Sequence, residues 1–276
     1  MNRRLDALVP EASGPAARLT DAARYALLAP GKRLRPLLAM AAAEHWGGNP
    51  EDALDGGCAV EMVHAASLIL DDLPSMDDAS LRRGRATVHK VFGEDVAVLA
   101  AVALLARAFG VLSACAAIAP GARLRLSAEL AEAVGFDGLT GGQTRDLHQR
   151  DGADLDDLAV LNRQKTGVLF EVSAMVGALA AGADEQIDAA RRFGETLGSA
   201  FQIRDDLLDR EADAALTGKD SGQDGDKPTV VSLLGAYGAR ARLLAELAAA
   251  RAEAVEGPLR AWTDWSFPEW SALDGA

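Results

Sequence analysis

Aspartates form two clusters in this chain, and their spacing could bind divalent cations. The first cluster consists of Asp71, Asp72, Asp77 and Asp78. Pro74 disfavours helical geometry in the residue before it, so the preceding helix should end near residue 73, with these carboxylates at its C-terminus. The helix dipole is negative there, and the carboxylates repel one another unless a cation lies between them. A solvated acidic helix end is the alternative, but the apolar run 65–70 leads directly into the cluster.

The second cluster lies on one helical stripe. Asp205 and Asp206 stand four and three residues before Asp209, and Gln202 stands three before Asp205. Like charges at this spacing cost about 0.2–0.5 kcal/mol per pair unless something neutralises them. Carboxylate oxygens without His or Cys suit Mg²⁺, which keeps several waters and bridges to substrate phosphate. Two such clusters, each at the end of a helix long enough to reach a shared cavity, together predict a Mg²⁺ site.

The cations of this acidic chain are gathered in short segments. The net charge is −13, from 28 basic and 41 acidic residues, so the chain is a poor general binder of nucleic acid or anionic lipid. The segment 31–36, GKRLRP, opens a predicted helix, and helix N-termini bind phosphate through free N–H groups. The other basic positions near Gly or Pro are Arg82, Arg83, Arg85, Lys165 beside Thr166, Lys219 and Lys227. Basic segments close to aspartate pairs indicate a site for metal-bound diphosphate.

The elements that must position these residues are helices. Ala- and Leu-rich segments with apolar residues three and four apart alternate with Gly and Pro, and no run of alternating β-branched residues suggests a sheet. The pattern predicts one all-α domain over residues 1–276, since helices of this length bury enough surface for a single core. The predicted helices are 16–28, 33–46, 51–73, 94–118, 122–149, 154–165, 167–181, 185–210, 228–236, 239–255 and 258–264.

Targeting and redox signals favour a soluble, cytoplasmic protein. Residues 1–14 contain no apolar run after the arginines, so no signal peptide is expected. The longest uncharged stretch, 96–106, is shorter than the ~20 residues that span a bilayer, so no transmembrane segment is expected. Cys58 and Cys115 lack metal-ligand spacing and should be reduced thiols in helix cores.

Together these motifs resemble the trans-isoprenyl diphosphate synthases, the polyprenyl synthetase family. The stretch 64–94 is most similar to the geranylgeranyl diphosphate synthases of bacterial carotenoid pathways, and so is 99–105. The resemblance implies a bundle of antiparallel helices around a deep central cavity, and a homodimer. It covers roughly residues 20–236 and is carried, in order, by GKRLRP at 31–36, DDxxxxD at 71–77, LRRG at 81–84, KT at 165–166, FQxxDDxxD at 201–209, GKD at 218–220 and KxT at 227–229.

The resemblance also implies roles for individual residues. Those that hold Mg²⁺ against an allylic diphosphate are Asp71, Asp72, Asp77, Asp205, Asp206 and Asp209, which with Lys165 form the catalytic set. The residues that complete this diphosphate clamp are Arg82, Lys165, Thr166, Gln202, Lys219 and Lys227. Those that bind isopentenyl diphosphate are Lys32, Arg35, His64 and Arg83. His64 lies two helical turns, ~10.5 Å, before Asp71, which suits a neighbouring diphosphate, although a satisfied core histidine is the alternative.

The implied reaction joins isopentenyl diphosphate to dimethylallyl, geranyl or farnesyl diphosphate. Metal ions and cations draw charge from the allylic diphosphate, its carbon–oxygen bond breaks, and the isopentenyl double bond attacks the resulting carbocation. A proton is then lost, plausibly to the departing diphosphate, since no motif residue is an obvious dedicated base.

Product length is set by side chains below Asp71 on the same helix. The first layer holds Ala66 and Ser67, which are too small to floor the cavity, and the next holds Met62 and Val63. One helical turn of ~5.4 Å is about one isoprene unit. The sequence therefore predicts geranylgeranyl diphosphate, with farnesyl or longer-chain synthases as alternatives.

Three other functions remain as alternatives. A terpene cyclase also ionises diphosphates, but it normally carries an Asn/Ser/Glu metal motif in place of the second aspartate cluster. A di-iron bundle would use Glu61 and His64 as Glu-x-x-His, but it needs a second copy, which the sequence lacks. A non-catalytic partner subunit is disfavoured by the intact aspartate motifs. The C-terminal Trp262 and Trp265 are expected to pack one helix face, with ligand binding as the less favoured role.

Overall fold

The computed structural model describes residues 1–148, 153–211 and 228–271, and helices make up most of them. The helices are α1 (Asn2–Leu8), α2 (Ala17–Leu27), α3 (Leu34–His45), α4 (Leu54–Asp71), α5 (Val88–Phe92), α6 (Glu94–Ala114), α7 (Pro120–Val134), α8 (Leu139–His148), α9 (Leu155–Asn162), α10 (Val168–Ala180), α11 (Ile187–Glu211), α12 (Val230–Glu253), α13 (Pro258–Ser266) and α14 (Pro268–Ser271). A π-helical turn, Arg163–Gly167, joins α9 to α10. The all-α prediction is confirmed.

Several predicted boundaries need correction. The predicted helix 122–149 is two helices, because the chain turns between Gly135 and Gly138, and its last residue lies outside the described part of the chain. The predicted helices 228–236 and 239–255 correspond to the two parts of α12, which is interrupted at Gly235, a few residues before the predicted break, where φ of 69° and ψ of 167° are non-helical values that glycine adopts at little cost. The N-terminal helix α1 was not predicted.

A two-stranded hairpin follows the first aspartate cluster, although no sheet was predicted. Strand β1 (Leu81–Arg82) pairs antiparallel with β2 (Arg85–Ala86). The two connecting residues, Arg83 and Gly84, have φ values of 54° and 73°, which is the pattern of a tight type I′ hairpin turn. The hairpin therefore fixes the direction of consecutive arginines.

The bundle core is built around α4 and α10. Helix α4 packs between α3 and α6, and α10 packs against α3 and α11. Small residues allow close contact between these helices: a Cβ on Gly177 would lie 2.5 Å from the carbonyl oxygen of Ala39, and one on Gly198 would lie 2.4 Å from the Cα of Gly167. The second contact holds α11 directly against the π-helical turn.

Two helices have the length and apolar composition of membrane spans. They are Pro50–Asp71, whose apolar window is 67% buried, and Glu94–Ala114, whose window is 39% buried. Core helices of soluble proteins pass the same test, so this is weak evidence for a membrane. The apolar outer face of α6 includes Val98, Leu99 and Val102, and it is exposed in the single chain.

The cysteine and tryptophan predictions have separate outcomes. Cys58 and Cys115 are free and buried, as expected. Trp262 is buried at 5% exposure and packs against Phe170, with ring centroids 6.3 Å apart. Trp265 is 52% exposed, so the expectation that both tryptophans pack one helix face is wrong for Trp265. Helix α13 buries only one side, and Trp265 lies on the other.

Candidate active site

The first aspartate motif lies at the end of α4 beneath a loop that folds back over it. The backbone N–H of Asp77 donates to the carbonyl oxygen of Asp71 at 2.9 Å, and the N–H of Asp78 donates to that of Leu73 at 3.0 Å. These bonds satisfy carbonyls that the helix end leaves without partners. The loop therefore brings the backbone of Asp77 against that of Asp71, as the Pro74 signal suggested.

Asp72 is held by Arg82 of the hairpin. Its side chain is almost buried, and its Oδ1 accepts from Nε and Nη2 of Arg82 at 2.9 and 2.5 Å. Both residues were predicted to contact the diphosphate or its metal. Here they bind each other, so Asp72 orients Arg82 and neutralises it.

Asp71 is a largely buried carboxylate of the first motif. Burial raises its pKa to about 6, with the Asp77 and Asp72 charges adding to the effect, while Lys165 and Arg82 oppose it. A buried carboxylate with a raised pKa is one that gains from an added cation. Its environment therefore favours a metal ion or a bound cationic group.

Basic residues surround His64 on one side of α4. Burial and the nearby guanidinium charges of Arg35, Arg83, Arg82 and Arg33 hold the pKa of His64 well below its usual value. Burial also lowers the pKa of Arg35 to about 10, and its Nε is buried without a hydrogen-bond partner. The predicted isopentenyl diphosphate residues Arg35, His64 and Arg83 therefore share one electropositive site, and the histidine is neutral. Lys32 is exposed on the adjoining segment.

The hairpin that carries Arg83 is anchored at both ends. Arg83 donates from Nη1 to the carbonyl oxygen of Pro30 at 2.9 Å. The hydroxyl of Tyr25 donates to the carbonyl oxygen of Ala86 at 2.8 Å, and the guanidinium of Arg85 lies over the Tyr25 ring at 4.0 Å. These contacts hold the arginine next to the segment that precedes α3.

Arg33 and Glu61 form a buried ion pair that the sequence analysis did not identify. Arg33 donates from Nη1 to Oε1 of Glu61 at 3.0 Å, and both side chains are less than 9% exposed. The guanidinium also donates to the carbonyl oxygen of Ala29 at 2.6 Å. Glu61 is the carboxylate of the Glu-x-x-His sequence, and it is already paired with Arg33. The basis of the di-iron alternative is therefore removed.

Lys165 and Thr166 lie in the π-helical turn between α9 and α10. Lys165 donates from Nζ to Oδ2 of Asp146 at 2.6 Å, and Thr166 donates from Oγ1 to Oε1 of Gln202 at 2.9 Å. Turns of this kind occur mostly as short insertions in helices, frequently at functional sites. The sequence analysis missed Asp146, although Gln143 and Asp146 stand one turn apart on a predicted helix.

The second aspartate motif lies near the end of α11. Asp206 accepts from Nε2 of Gln202 at 2.9 Å and from the backbone N–H of Val230 at 3.3 Å. Burial raises its pKa to about 6 despite these bonds, and Asp205 and Asp209 raise it further. Asp205 is partly exposed and accepts from Nη2 of Arg204 at 3.2 Å.

Two routes of contacts connect the two aspartate motifs. The charge of Lys165 acts on Asp71, while its neighbour Thr166 binds Gln202, which binds Asp206. On the other side, the positive charge of Arg35 interacts with the carboxylate of Asp205. The same charge helps to lower the pKa of His64. The two motifs are therefore linked through Lys165 and Thr166 on one side and through Arg35 on the other. Lys219 and Lys227 lie outside the described residues.

The donor set fits Mg²⁺ that is shared with a substrate. Among the described residues, no three His, Cys, Asp or Glu side chains are arranged to hold a metal ion by themselves. Each motif contributes a carboxylate with a raised pKa, Asp71 in the first and Asp206 in the second. Hard oxygen donors in small number suit Mg²⁺, which takes its remaining ligands from water and phosphate.

The predicted chain-length residues lie on α4. Met62, Val63 and Ala66 are fully buried, and Ser67 donates from Oγ to the carbonyl oxygen of His64 at 3.0 Å. The side of α4 below Asp71 therefore carries a small residue first and larger ones a turn further down.

Comparisons with known proteins agree with this geometry. The polyprenyl synthetase family profile matches residues 16–256. The chain is 46% identical to a geranylgeranyl diphosphate synthase of Pantoea ananas over 247 residues, which is 88% of this chain and 80% of that protein. It is 43% identical to a chloroplastic geranylgeranyl pyrophosphate synthase of Capsicum annuum, covering 86% of this chain and 66% of the plant protein.

Solved structures give the same result. An FPP/GFPP synthase from Zymomonas mobilis aligns with a TM-score of 0.84 at 39% identity, over 95% of this chain and 91% of that one. A geranyltransferase from Helicobacter pylori, complexed with magnesium and isoprenyl diphosphate, aligns with a TM-score of 0.82 at 27% identity, over 99% and 94%. The chain therefore belongs to the polyprenyl synthetase family and is a trans-prenyltransferase.

Proposed function

We propose that this prenyltransferase condenses isopentenyl diphosphate with an allylic diphosphate to give geranylgeranyl diphosphate, with Mg²⁺ as its cofactor. The observation that supports the proposal is the pair Lys165–Thr166, because the charge of Lys165 acts on Asp71 while Thr166 binds Gln202, the partner of Asp206. Relatives at 43–46% identity are named for the same product. The small Ala66 and Ser67 below Asp71 agree with a long product.

The residues that would hold Mg²⁺ are the carboxylates at the two helix ends, Asp71 and Asp77 on one side and Asp205, Asp206 and Asp209 on the other. When bound, Mg²⁺ supplies positive charge that makes diphosphate a better leaving group. Asp72 contributes differently, because it orients Arg82 through two hydrogen bonds.

The cations of the chain bind and orient the two diphosphates. Lys165 is fixed by Asp146 and directs its charge toward the side of Asp71. Arg35 and Arg83 provide a separate electropositive site beside His64. Burial and the neighbouring guanidinium charges lower the pKa of His64, and a neutral imidazole has one ring N–H that could donate to a diphosphate oxygen without adding charge. Two diphosphates are thereby held at neighbouring sites. One is the leaving group of the allylic substrate, and the other anchors isopentenyl diphosphate.

The reaction then conserves atoms and charge. The bond between the allylic carbon and the diphosphate oxygen breaks, and the double bond of isopentenyl diphosphate attacks that carbon. The new cation loses a proton to the departing diphosphate. The apolar residues of α4, including the buried Ile69 and Ala66, exclude water that would capture the cation.

The direct test is an incubation of the purified chain with Mg²⁺, isopentenyl diphosphate and each allylic starter, followed by sizing of the prenyl product. We expect a C20 product from every starter shorter than C20. A C15 or C25 product would leave the prenyl transfer intact and overturn the chain length. These are the alternatives to measure, because the similar protein from Zymomonas mobilis is named an FPP/GFPP synthase. No product from any starter would favour the non-catalytic partner subunit.

The proposal includes a cytoplasmic homodimer that serves carotenoid biosynthesis. The supporting observation is the outer face of α6, where Leu99 and Val102 are each 56% exposed on an apolar helix. Soluble proteins rarely leave such faces uncovered, and a second copy of the chain is the proposed occupant. Light scattering should give twice the 28.8 kDa chain mass, and Leu99→Glu with Val102→Glu should give the monomer. A wild-type monomer would contradict it.

A further inference from the structure

The C-terminal helices α13 and α14 contain three of the four tryptophans of the chain. The diphosphate site described above assigns them no role. One residue of the second aspartate motif, Arg204, nevertheless contacts this segment directly.

An aromatic cluster connects α13 and the residue after it to α10 and α11. We define it as Phe170, Phe201, Trp262 and Phe267. The ring centroids of Phe170 and Phe201 are 5.2 Å apart, and those of Phe201 and Phe267 are 5.6 Å apart. Trp262 and Phe267 are 5% and 0% exposed. The C-terminal segment is therefore part of the bundle core next to the second aspartate motif.

Arg204 lies inside this cluster and faces both the segment and the motif. Its guanidinium is 3.9 Å from the ring centroid of Phe201 and 5.0 Å from that of Phe267. It donates from Nη1 to the carbonyl oxygen of Ser266 at 2.8 Å and from Nη2 to Oδ1 of Asp205 at 3.2 Å. Only the planar fork of an arginine can stack on rings and reach two acceptors at once.

We infer that Arg204 is a positioning residue through which the C-terminal segment fixes the carboxylate of Asp205. The inference rests on the proposed function, because Asp205 is a proposed Mg²⁺ ligand. The side chain of Asp205 is 44% exposed, whereas that of Arg204 is 93% buried and is held by the rings and by the Ser266 carbonyl oxygen. The Ser266 carbonyl oxygen fixes the orientation of the Arg204 guanidinium. The guanidinium in turn fixes the orientation of the Asp205 carboxylate before the substrate binds. Preorganisation of this kind lowers the cost of binding the metal and diphosphate together.

The test is the variant Arg204→Met, which keeps an unbranched apolar side chain against the rings and removes both donors. The first readout is calorimetric titration of inorganic diphosphate into the protein in the presence of Mg²⁺, with no prenyl substrate. We expect binding to weaken on the order of 10-fold, as when the partner of a metal ligand is removed. The second readout is kinetic: the KM for the allylic diphosphate and the Mg²⁺ concentration for half-maximal rate should rise, with the KM for isopentenyl diphosphate unchanged.

Two further variants separate positioning from folding. Arg204→Lys keeps the charge and one donor group, and it should restore part of the diphosphate affinity. Arg240→Gln removes another arginine that lies over a C-terminal ring, that of Trp270 at 6.0 Å, and should leave diphosphate binding at the wild-type level.

The outcomes distinguish this inference from the proposed function. If wild-type protein makes product but Arg204→Met binds diphosphate as tightly as wild type, the positioning role is wrong and the prenyl transfer stands. A loss of melting temperature with equal effects on both substrates would also contradict it, because that is the signature of a purely structural residue. If wild-type protein neither binds Mg²⁺-diphosphate nor makes product, the proposed function itself has failed.

Discussion

The Nζ of Lys165 lies 2.6 Å from Oδ2 of Asp146, and the carboxylate of Asp146 is nearly buried. The two residues come from different helices, since Asp146 lies on α8 and Lys165 in the π-helical turn after α9. A short, charge-assisted hydrogen bond of this kind fixes the position of a flexible side chain. Asp146 therefore determines where the ammonium group points.

Removal of Asp146 should impair catalysis more than stability. In Asp146→Ala, the Lys165 ammonium loses its anchor, and a misplacement of about 1 Å costs on the order of 10²-fold in rate. We expect kcat to fall by this factor, with the melting temperature within a few degrees of wild type. Glu132→Gln, at an exposed site on α7, is the control and should be neutral. Full activity of Asp146→Ala would show that Lys165 needs no anchor.

The metal-free protein should be stabilised by Asp71→Asn. The pKa of Asp71 is raised from 3.8 to about 6, mainly by burial, so the ionised carboxylate destabilises the folded state. The protonated form is favoured below pH ~4, and that advantage is lost as the pH rises through 6. The variant and wild type should have equal unfolding free energies near pH 4. Above pH 6 the variant should be more stable by on the order of 1–3 kcal/mol.

Chemical denaturation in the presence of a chelator, at pH 4 and at pH 8, measures this difference. The same variant should be inactive with Mg²⁺ present, because the amide that replaces the carboxylate has no negative charge with which to bind the metal. A variant that is less stable than wild type at pH 8 would show that Lys165 and Arg82 already compensate Asp71 fully.

The buried pair of Arg33 and Glu61 should be a strong determinant of stability. Both side chains are less than 9% exposed, so the loss of one partner leaves a buried charge without compensation. Glu61→Leu should lower the unfolding free energy by about 3–5 kcal/mol. The double variant Arg33→Met with Glu61→Leu should recover much of this loss, since an apolar pair of similar size removes both charges. Additive losses in the double variant would contradict the pairing.

Local sequence signals predicted most of the helices and the residues of both aspartate motifs. The Pro74 signal placed the end of α4 within two residues, because the restriction on the preceding residue is local. The basic pattern identified Lys165 and Thr166, but their hydrogen bonds to Asp146 and Gln202 join residues 19 and 36 positions apart. Such pairings depend on how helices cross, which no local pattern contains.

The features that sequence analysis missed depend on tertiary contacts or unusual backbone. The hairpin has Arg83 where its turn requires a positive φ, so the usual Asn-Gly signal was absent. The pair of Arg33 and Glu61 joins residues from separate segments, and Arg33 was considered only as part of a basic run. The ion pair between Asp72 and Arg82 was also missed, because Arg82 lies on the hairpin that was not predicted. The metal role of Asp72 stays a prediction.

Product length should respond to the volume at Ala66. This residue is fully buried on α4, one turn before Asp71, and the larger Met62 lies a further turn down. In Ala66→Phe, an aromatic ring would fill the first layer and stop the growing chain about one isoprene unit earlier. We expect the main product to shift from C20 to C15, with the rate of the first condensation little changed, because the diphosphate residues are untouched. Chromatography of the dephosphorylated products measures the shift.

The matched control is Ala106→Phe, which adds the same ring to an exposed position of α6 and should leave the product at C20. Melting temperatures of both variants separate a blocked cavity from an unfolded one, since overpacking a core costs about 1–3 kcal/mol. If folded Ala66→Phe still releases C20, the growing chain passes along a different wall of the cavity, and Ala66 and Ser67 do not set its length.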